Sequence, residues 1–146
     1  MGSIQELKRF MNILEEISLE NGKPLCITVL DPNGLPVLLS RMPGAGILNI
    51  EMADRKAYTS VVTGAESGAL MSFVQPGAPG YTLTSSSGRL IAFGGGTKVQ
   101  FDNESYGIGI SGGNNDVEDM DMLATAQKRF GVTDAIWSAK EWRESK

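Results

Sequence analysis

Residues 107–113 read GIGISGG, a literal G-x-G-x-x-G through Gly107, Gly109 and Gly112, placed between an apolar run and the start of a helical pattern. Either the glycines cradle a dinucleotide, or the backbone there must pass close to something else. A dinucleotide fingerprint needs a strand before the glycines, a helix after them, and then a strand ending in an acidic ribose ligand about 20 residues on. Here one helical stretch and a tail follow Gly113, and nothing in them reads as a strand ending in Asp or Glu. The nucleotide reading is set aside.

Working outward, SYGIGIS (105–111) and RLIAFGG (89–95) read as strands around a turn or bulge region, GGTKVQFDNE (95–104). Downstream, residues 114–131 form a helical pattern with acids in the first turns, Lys128 and Arg129 in the last, and Gly131 as the stop, an order that complements the helix dipole. At the other end, Ser3 and Glu6 make a capping box, and Ile4, Leu7, Phe10, Met11, Leu14 and Ile17 recur at helical spacing until Asn21-Gly22, predicting a helix over 3–21. The runs 24–31 and 35–42 flank the turn former DPNG and read as a hairpin. After the loop MPGAG (42–46), residues 49–64 predict a helix capped by Asn49, closed by Gly64 and carrying Ile50, Ala53, Ala57 and Val61 as its core stripe. A shorter helical stretch (66–74) leads into a long Pro-, Gly- and Ser-rich loop (75–88) with room for one short strand, and residues 133–146 predict a terminal helix. Without a repeat or linker, the chain reads as a single domain, 1–146.

Composition narrows the function. The chain has 146 residues, 41% apolar and 21% charged, enough for one sizeable core. A net charge of −4 without a basic run disfavours nucleic acid as a partner. Its apolar stretches fall well short of the roughly 20 residues that span a membrane, and with no apolar signal core the expectation is a cytoplasmic protein without a membrane partner. Histidine is absent and cysteine occurs once, at Cys26 inside an apolar run. This removes His-based triads, Cys–His dyads, imidazole zinc sites and intrachain disulfides, and it makes Cys26 a buried, inert thiol. The acids at 116, 118, 119 and 121 lack EF-hand spacing, and no metal site is expected.

The ordered motifs ITVLDPNGLPVLLSRMPGA, MADRKAYTS, FGGG and YGIGISGG, followed by Asp121 in an alanine-bearing helix, resemble the GlcG/HbpS family, which also takes in the C-terminal domain of the PduO corrinoid adenosyltransferases. The resemblance runs from about residue 25 to 126, with Asp31, Gly34, Arg41, Met42, Gly44, Lys56, Thr59, Gly94, Gly95, Gly96, Gly107, Gly109, Ser111, Gly112, Gly113 and Asp121 on the family pattern. It implies an α/β (α+β), profilin-like or PAS-like sandwich, with a mainly antiparallel sheet of about five strands flanked by helices, assembled as a homo-oligomer. On that fold Gly107 and Gly109 permit close backbone approach, whereas Ser111, Gly112 and Gly113 lead into a helix N-terminus able to hold an anion or ligand.

The resemblance implies haem or a corrinoid as cofactor. The chain departs from the family by having no histidine ligand and by reading GGTKVQ where a GG-Val-Pro continuation is usual. Iron ligation then falls to Met42, Met52, Tyr58 or Tyr81, each of which has a structural reading as core filler or half-buried ring. Lys56 lies beside the apolar stripe of its helix, where it can snorkel to solvent, pair with Asp31 or Asp121, or join Arg41 as a cationic rim for a carboxylate. The first functional expectation is a small-molecule-binding protein whose pocket, lined by Arg41, Met42, Lys56, Gly95, Gly96, Ser111, Gly112 and Gly113, holds a tetrapyrrole or another anionic ligand. The second is an enzyme of carboxylate catabolism, with Arg41 as anchor and Lys56 or Asp121 as acid or base. The third is a ligand-free assembly partner with Trp137 and Trp142 as interface anchors.

Overall fold

The structure, a computed structural model, describes residues 2–131. In chain order they form α1 (Gly2–Asn21), β1 (Cys26–Leu30), β2 (Pro36–Arg41), α2 (Ile47–Thr63), a 3-10 helix (Ser67–Phe73), the single turn α3 (Leu83–Ser86), β3 (Gly96–Phe101), β4 (Glu104–Ser111) and α4 (Asp116–Phe130). The strands make one antiparallel sheet in the order β2-β1-β4-β3. The helix predicted over 133–146, with Trp137 and Trp142, lies outside the described residues.

The alternation of Gly and Ile in β4 explains how the layers meet. Side chains along a strand point to opposite faces, and residues paired across strands share one. Ile108 and Ile110 pair with Val29 and Ile27 of β1 and face α1 and α4, where they join Leu7, Phe10, Leu14, Ile17 and Leu123 in the main core. Burial of each such side chain contributes roughly 1.5–3 kcal/mol. Gly107 and Gly109 fall on the other face, beneath α2. A Cβ at Gly109 would overlap the carbonyl oxygen of Ala53, and one at Gly107 the carbonyl oxygen of Ala57. The helix backbone therefore lies directly on the strand, and these glycines serve helix–sheet contact. β1, covered by helices on both sides, is buried along its whole length, which is why CITVL reads as an unbroken run.

Three expectations need correction. Among the described residues the sheet has four strands rather than about five, and RLIAFGG is not one of them: β3 begins at Gly96, inside the stretch read as a turn or bulge region. The backbone before it is committed to α2. Arg89 binds Asp54 in a two-pronged contact (Nε–Oδ2 3.0 Å, Nη2–Oδ1 2.8 Å), and the Ile91 N–H donates to Thr59 Oγ1 at 2.9 Å. The hairpin turns instead at Asp102-Asn103, both at positive φ (52° and 65°), the geometry that two-residue hairpin loops favour. In addition, α2 starts at Ile47 with Gly46 as its cap. Asn49 sits one turn further in, where its Oδ1 accepts the Gly46 N–H at 3.0 Å.

No helix among the described residues is long and apolar enough to cross a membrane.

Candidate ligand-binding end of the sheet

Register places the start of β1 and the ends of β2 and β4 at one edge: Cys26 pairs with Arg41 on one side and Ser111 on the other. Three connections are fixed there. Ser18, buried near the end of α1, donates its hydroxyl to the Lys23 carbonyl (2.5 Å) and accepts the Leu25 N–H (3.1 Å), setting the turn into β1. The loop after β2 is tied down by Met42 N–H to Leu25 O (2.9 Å) and by Gly44, at φ +101° against the Pro24 ring. After β4, Gly112 passes so close to Pro24 that a Cβ would overlap the Pro24 carbonyl oxygen.

Arg41 and Met42, adjacent in sequence, diverge. The Arg41 guanidinium donates to the Ala45 carbonyl at 3.0 Å, on the face where Asn49 Nδ2 donates to Ser111 Oγ at 3.1 Å. Met42 turns to the α1 side and lines a groove of about 250 Å³ with Leu19, Lys23, Pro24 and Pro43. The Lys23 ammonium donates to Asn114 Oδ1 at 3.0 Å and lies 3.8 Å from Glu118. Three of the chain's well-exposed apolar side chains sit at this end: Leu19 (72%), Ile47 (87%) and Leu48 (66%). Cys26 lies buried in the same edge, and burial pushes its thiol pKa up, which suits an inert side chain.

Lys56 is not at the solvent border. It is 1% exposed and donates to Asp119 Oδ2 (2.7 Å) and the Ile110 carbonyl (2.9 Å). Asp119 Oδ1 in turn accepts the Gly113 N–H at 2.8 Å, so an amide expected to hold an external anion holds the chain's own carboxylate. The FGGG segment closes over the pair. Gly95, at φ +115°, leaves no room for a Cβ, which would stand 2.9 Å from Lys56 Nζ, and a Cβ at Gly96 would overlap the Lys56 carbonyl oxygen. The Gly96 N–H donates to Ser67 Oγ (2.8 Å), whose hydroxyl donates to Phe93 O (2.5 Å). The Gly94 N–H donates to Asp116 Oδ2 at 3.1 Å.

The eight expected pocket residues therefore divide. Lys56, Gly95, Gly96 and Gly113 enclose an internal ion pair, while Arg41, Met42, Ser111 and Gly112 mark the end of the sheet. Neither Asp31 nor Asp121 pairs with Lys56. Asp31 accepts the Asn33 and Leu35 amides in the β1–β2 turn, and Asp121 is exposed on a separate groove of α4. Among the iron-ligand candidates, Met52 is half-buried on α2, Tyr58 is capped by Arg89 at 4.2 Å, and Tyr81 is exposed; Met42 alone of the four lines one of the described grooves. Sequence reasoning missed Lys23, which has no local signal, and the pairing of Asp119, which does: position 119 shares a helix face with the buried Met122, Leu123 and Ala126.

The family model described as "Haem degrading protein HbpS-like" matches residues 3–128. The chain is 36% identical over 132 residues to the corrinoid adenosyltransferase PduO of Citrobacter freundii, covering 89% of this chain and 39% of that protein. It thus spans well under half the length of that curated relative. A crystal structure of a PduOC:heme complex superposes with a TM-score of 0.81 at 31% identity, covering 92% of this chain and 96% of that one. The crystal structure of HbpS gives 0.76 at 24% identity over 87% and 88%, a likeness of fold.

Proposed function

The chain belongs to the HbpS-like family, and from that premise we propose that it binds a small anionic ligand with an apolar, planar body, a tetrapyrrole, at the end of the sheet around Met42. The observation that carries this reading is that Met42 and Lys23 line one groove, rimmed by the exposed Leu19. Such a set matches haem in three respects. A thioether is a soft iron ligand, an ammonium suits a propionate, and Leu19, Pro24 and Pro43 offer apolar contact to a ring edge. Arg41 stands on the other side of the 42–46 loop as a second cation. Bound haem would supply an iron centre whose spectrum and potential depend on its ligands. Met42 would offer the thioether, Lys23 a cation for a propionate, and Leu19, Pro24 and Pro43 apolar contact at the ring edge. The heme complex named for the PduOC structure supports haem as the probe, and the naming of PduO as a corrinoid adenosyltransferase makes a corrinoid the parallel candidate.

A homo-oligomer belongs to the proposal. At about 250 Å³ the groove is smaller than the roughly 300–1,000 Å³ of ordinary ligand pockets, and the exposed Ile47 and Leu48 beside it suit a second copy. Lys56 is enclosed away from any external substrate, and Asp121 lines a groove of α4 that does not include Arg41, which favours binding over the carboxylate-enzyme reading.

Haem titration of Met42→Ala and Lys23→Ala tests the site. Met42→Ala is expected to move the Soret band and weaken binding about tenfold. Lys23→Ala is expected to keep the band and weaken binding by up to about fivefold, the scale of a half-exposed charge pair. Spectra and affinities unchanged in both variants would place haem elsewhere.

A further inference from the structure

Glu66 stands two residues beyond the Gly64 stop of α2, immediately before the 3-10 helix. Both of its carboxylate oxygens are buried, and neither completes a hydrogen bond among the described residues. A buried carboxylate without partners is costly when charged. Lys56 carries three N–H donors, and among the described residues two acceptors take them, Asp119 and the Ile110 carbonyl. Gly95 lies against the Lys56 ammonium without a side chain to screen it, and the Gly95 amide faces Glu66. The charged groups around Glu66 come from two elements: Lys56 from α2, and Asp116 from the start of α4, with Asp119 held by Lys56. Among the described residues no three His, Cys, Asp or Glu side chains form a metal set, so these carboxylates are not read as a cation site.

We propose that Glu66 is a proton-controlled competitor of Asp119 for the Lys56 ammonium, so that loss of its proton weakens the Lys56–Asp119–Gly113 chain and loosens the Ser111–Gly113 end of β4. While Glu66 is neutral, Lys56 is committed to Asp119, and Asp119 holds the Gly113 amide. Once Glu66 is charged, two buried carboxylates share one ammonium. Ser67, bonded to Phe93 and Gly96, passes any movement of Glu66 directly into the glycine segment above the pair. This device concerns the chain's own residues and does not depend on which ligand the nearby groove takes.

The electrostatics set the range in which it operates. Burial pushes the Glu66 carboxyl up to about 7; the amides of Gly95 and Gly68 pull it back in part without completing a hydrogen bond, Asp116 pushes it further up and Lys56 draws it down. Its ordinary value is 4.5. Between those values the folded chain holds a proton that the unfolded chain has released, so the contribution to stability is fully present below pH 4.5 and is lost as pH rises through 7.

The test is a pH series of amide NMR spectra on the full chain, with Glu66→Gln alongside. The expected result is that the Gly113 and Gly95 amides titrate together with a midpoint near 7, that the urea midpoint falls between pH 4.5 and 7, and that Glu66→Gln removes both changes. A Gly113 amide that does not move, or that moves with the same midpoint in Glu66→Gln, overturns the proposal. Should Glu66→Gln fail to fold, the side-chain carboxyl carbon of Glu66 in the unaltered protein decides. A midpoint shared with the Gly113 amide supports the competition, and midpoints separated by a pH unit or more overturn it.

Discussion

Gly109→Ala is expected to cost roughly 3 kcal/mol or more, or to abolish folding, although it adds a single methyl group. The new Cβ would overlap the Ala53 carbonyl oxygen and stand 2.6 Å from the Ala57 nitrogen, and both are backbone atoms of α2 that no rotamer change can move. Relief requires lifting α2 from β4, which also separates it from the neighbouring strands and breaks the contact of Asn49 with Ser111. Gly107→Ala meets Ala57 and Val61 and should behave alike, whereas Gly88→Ala meets open space and should change little. Urea unfolding followed by circular dichroism compares the three. Equal midpoints for Gly109→Ala and Gly88→Ala would mean that α2 does not rest on these glycines.

The second large effect is expected at the buried ion pair. Removing one partner leaves the other charged and enclosed, which typically costs about 3–5 kcal/mol. Lys56→Met strands Asp119, whose side chain is 5% exposed, and Asp119→Leu strands Lys56 at 2%. Because both groups are shielded from solvent, screening offers little relief. The double variant removes both charges and is expected to recover much of the loss, since well-packed apolar substitutes for a buried pair are often neutral or better. Thermal and urea unfolding of the four proteins give the coupling energy. Losses that simply add would show that the two side chains act independently, against the 2.7 Å contact between them.

Much of the fold was legible because its signals are local. The stripe Leu7, Phe10, Leu14 and Ile17 lies in the core, and Gly64 and Gly131 end their helices in the left-handed conformation expected of a C-terminal stop. The first strand of the second hairpin was misplaced for a tertiary reason. RLIAF has the composition of a strand, but Arg89 and Ile91 spend their bonds on α2, and Asp102-Asn103 lacks the glycine that usually marks a two-residue turn. At the site, sequence adjacency misled. Arg41 and Met42 are neighbours that alternation sends to opposite faces, while Lys56 and Asp119, 63 positions apart, meet inside. A lysine beside an apolar stripe reads as able to snorkel; only the packing of Gly95 and Gly96 over it shows that it does not. Glu66 carries no local signal at all, because its isolation arises from the segments that fold over it.

On the proposed function, an HbpS-like chain without histidine still takes a tetrapyrrole, through the end of the sheet that carries Met42 and Lys23. An absorption titration of the purified protein with haem, with cobalamin in parallel and mass followed by light scattering, tests it directly. The expected result is a saturable Soret shift at a fixed ratio to the chain, carried by an oligomer. A flat haem titration by a well-folded protein would contradict it.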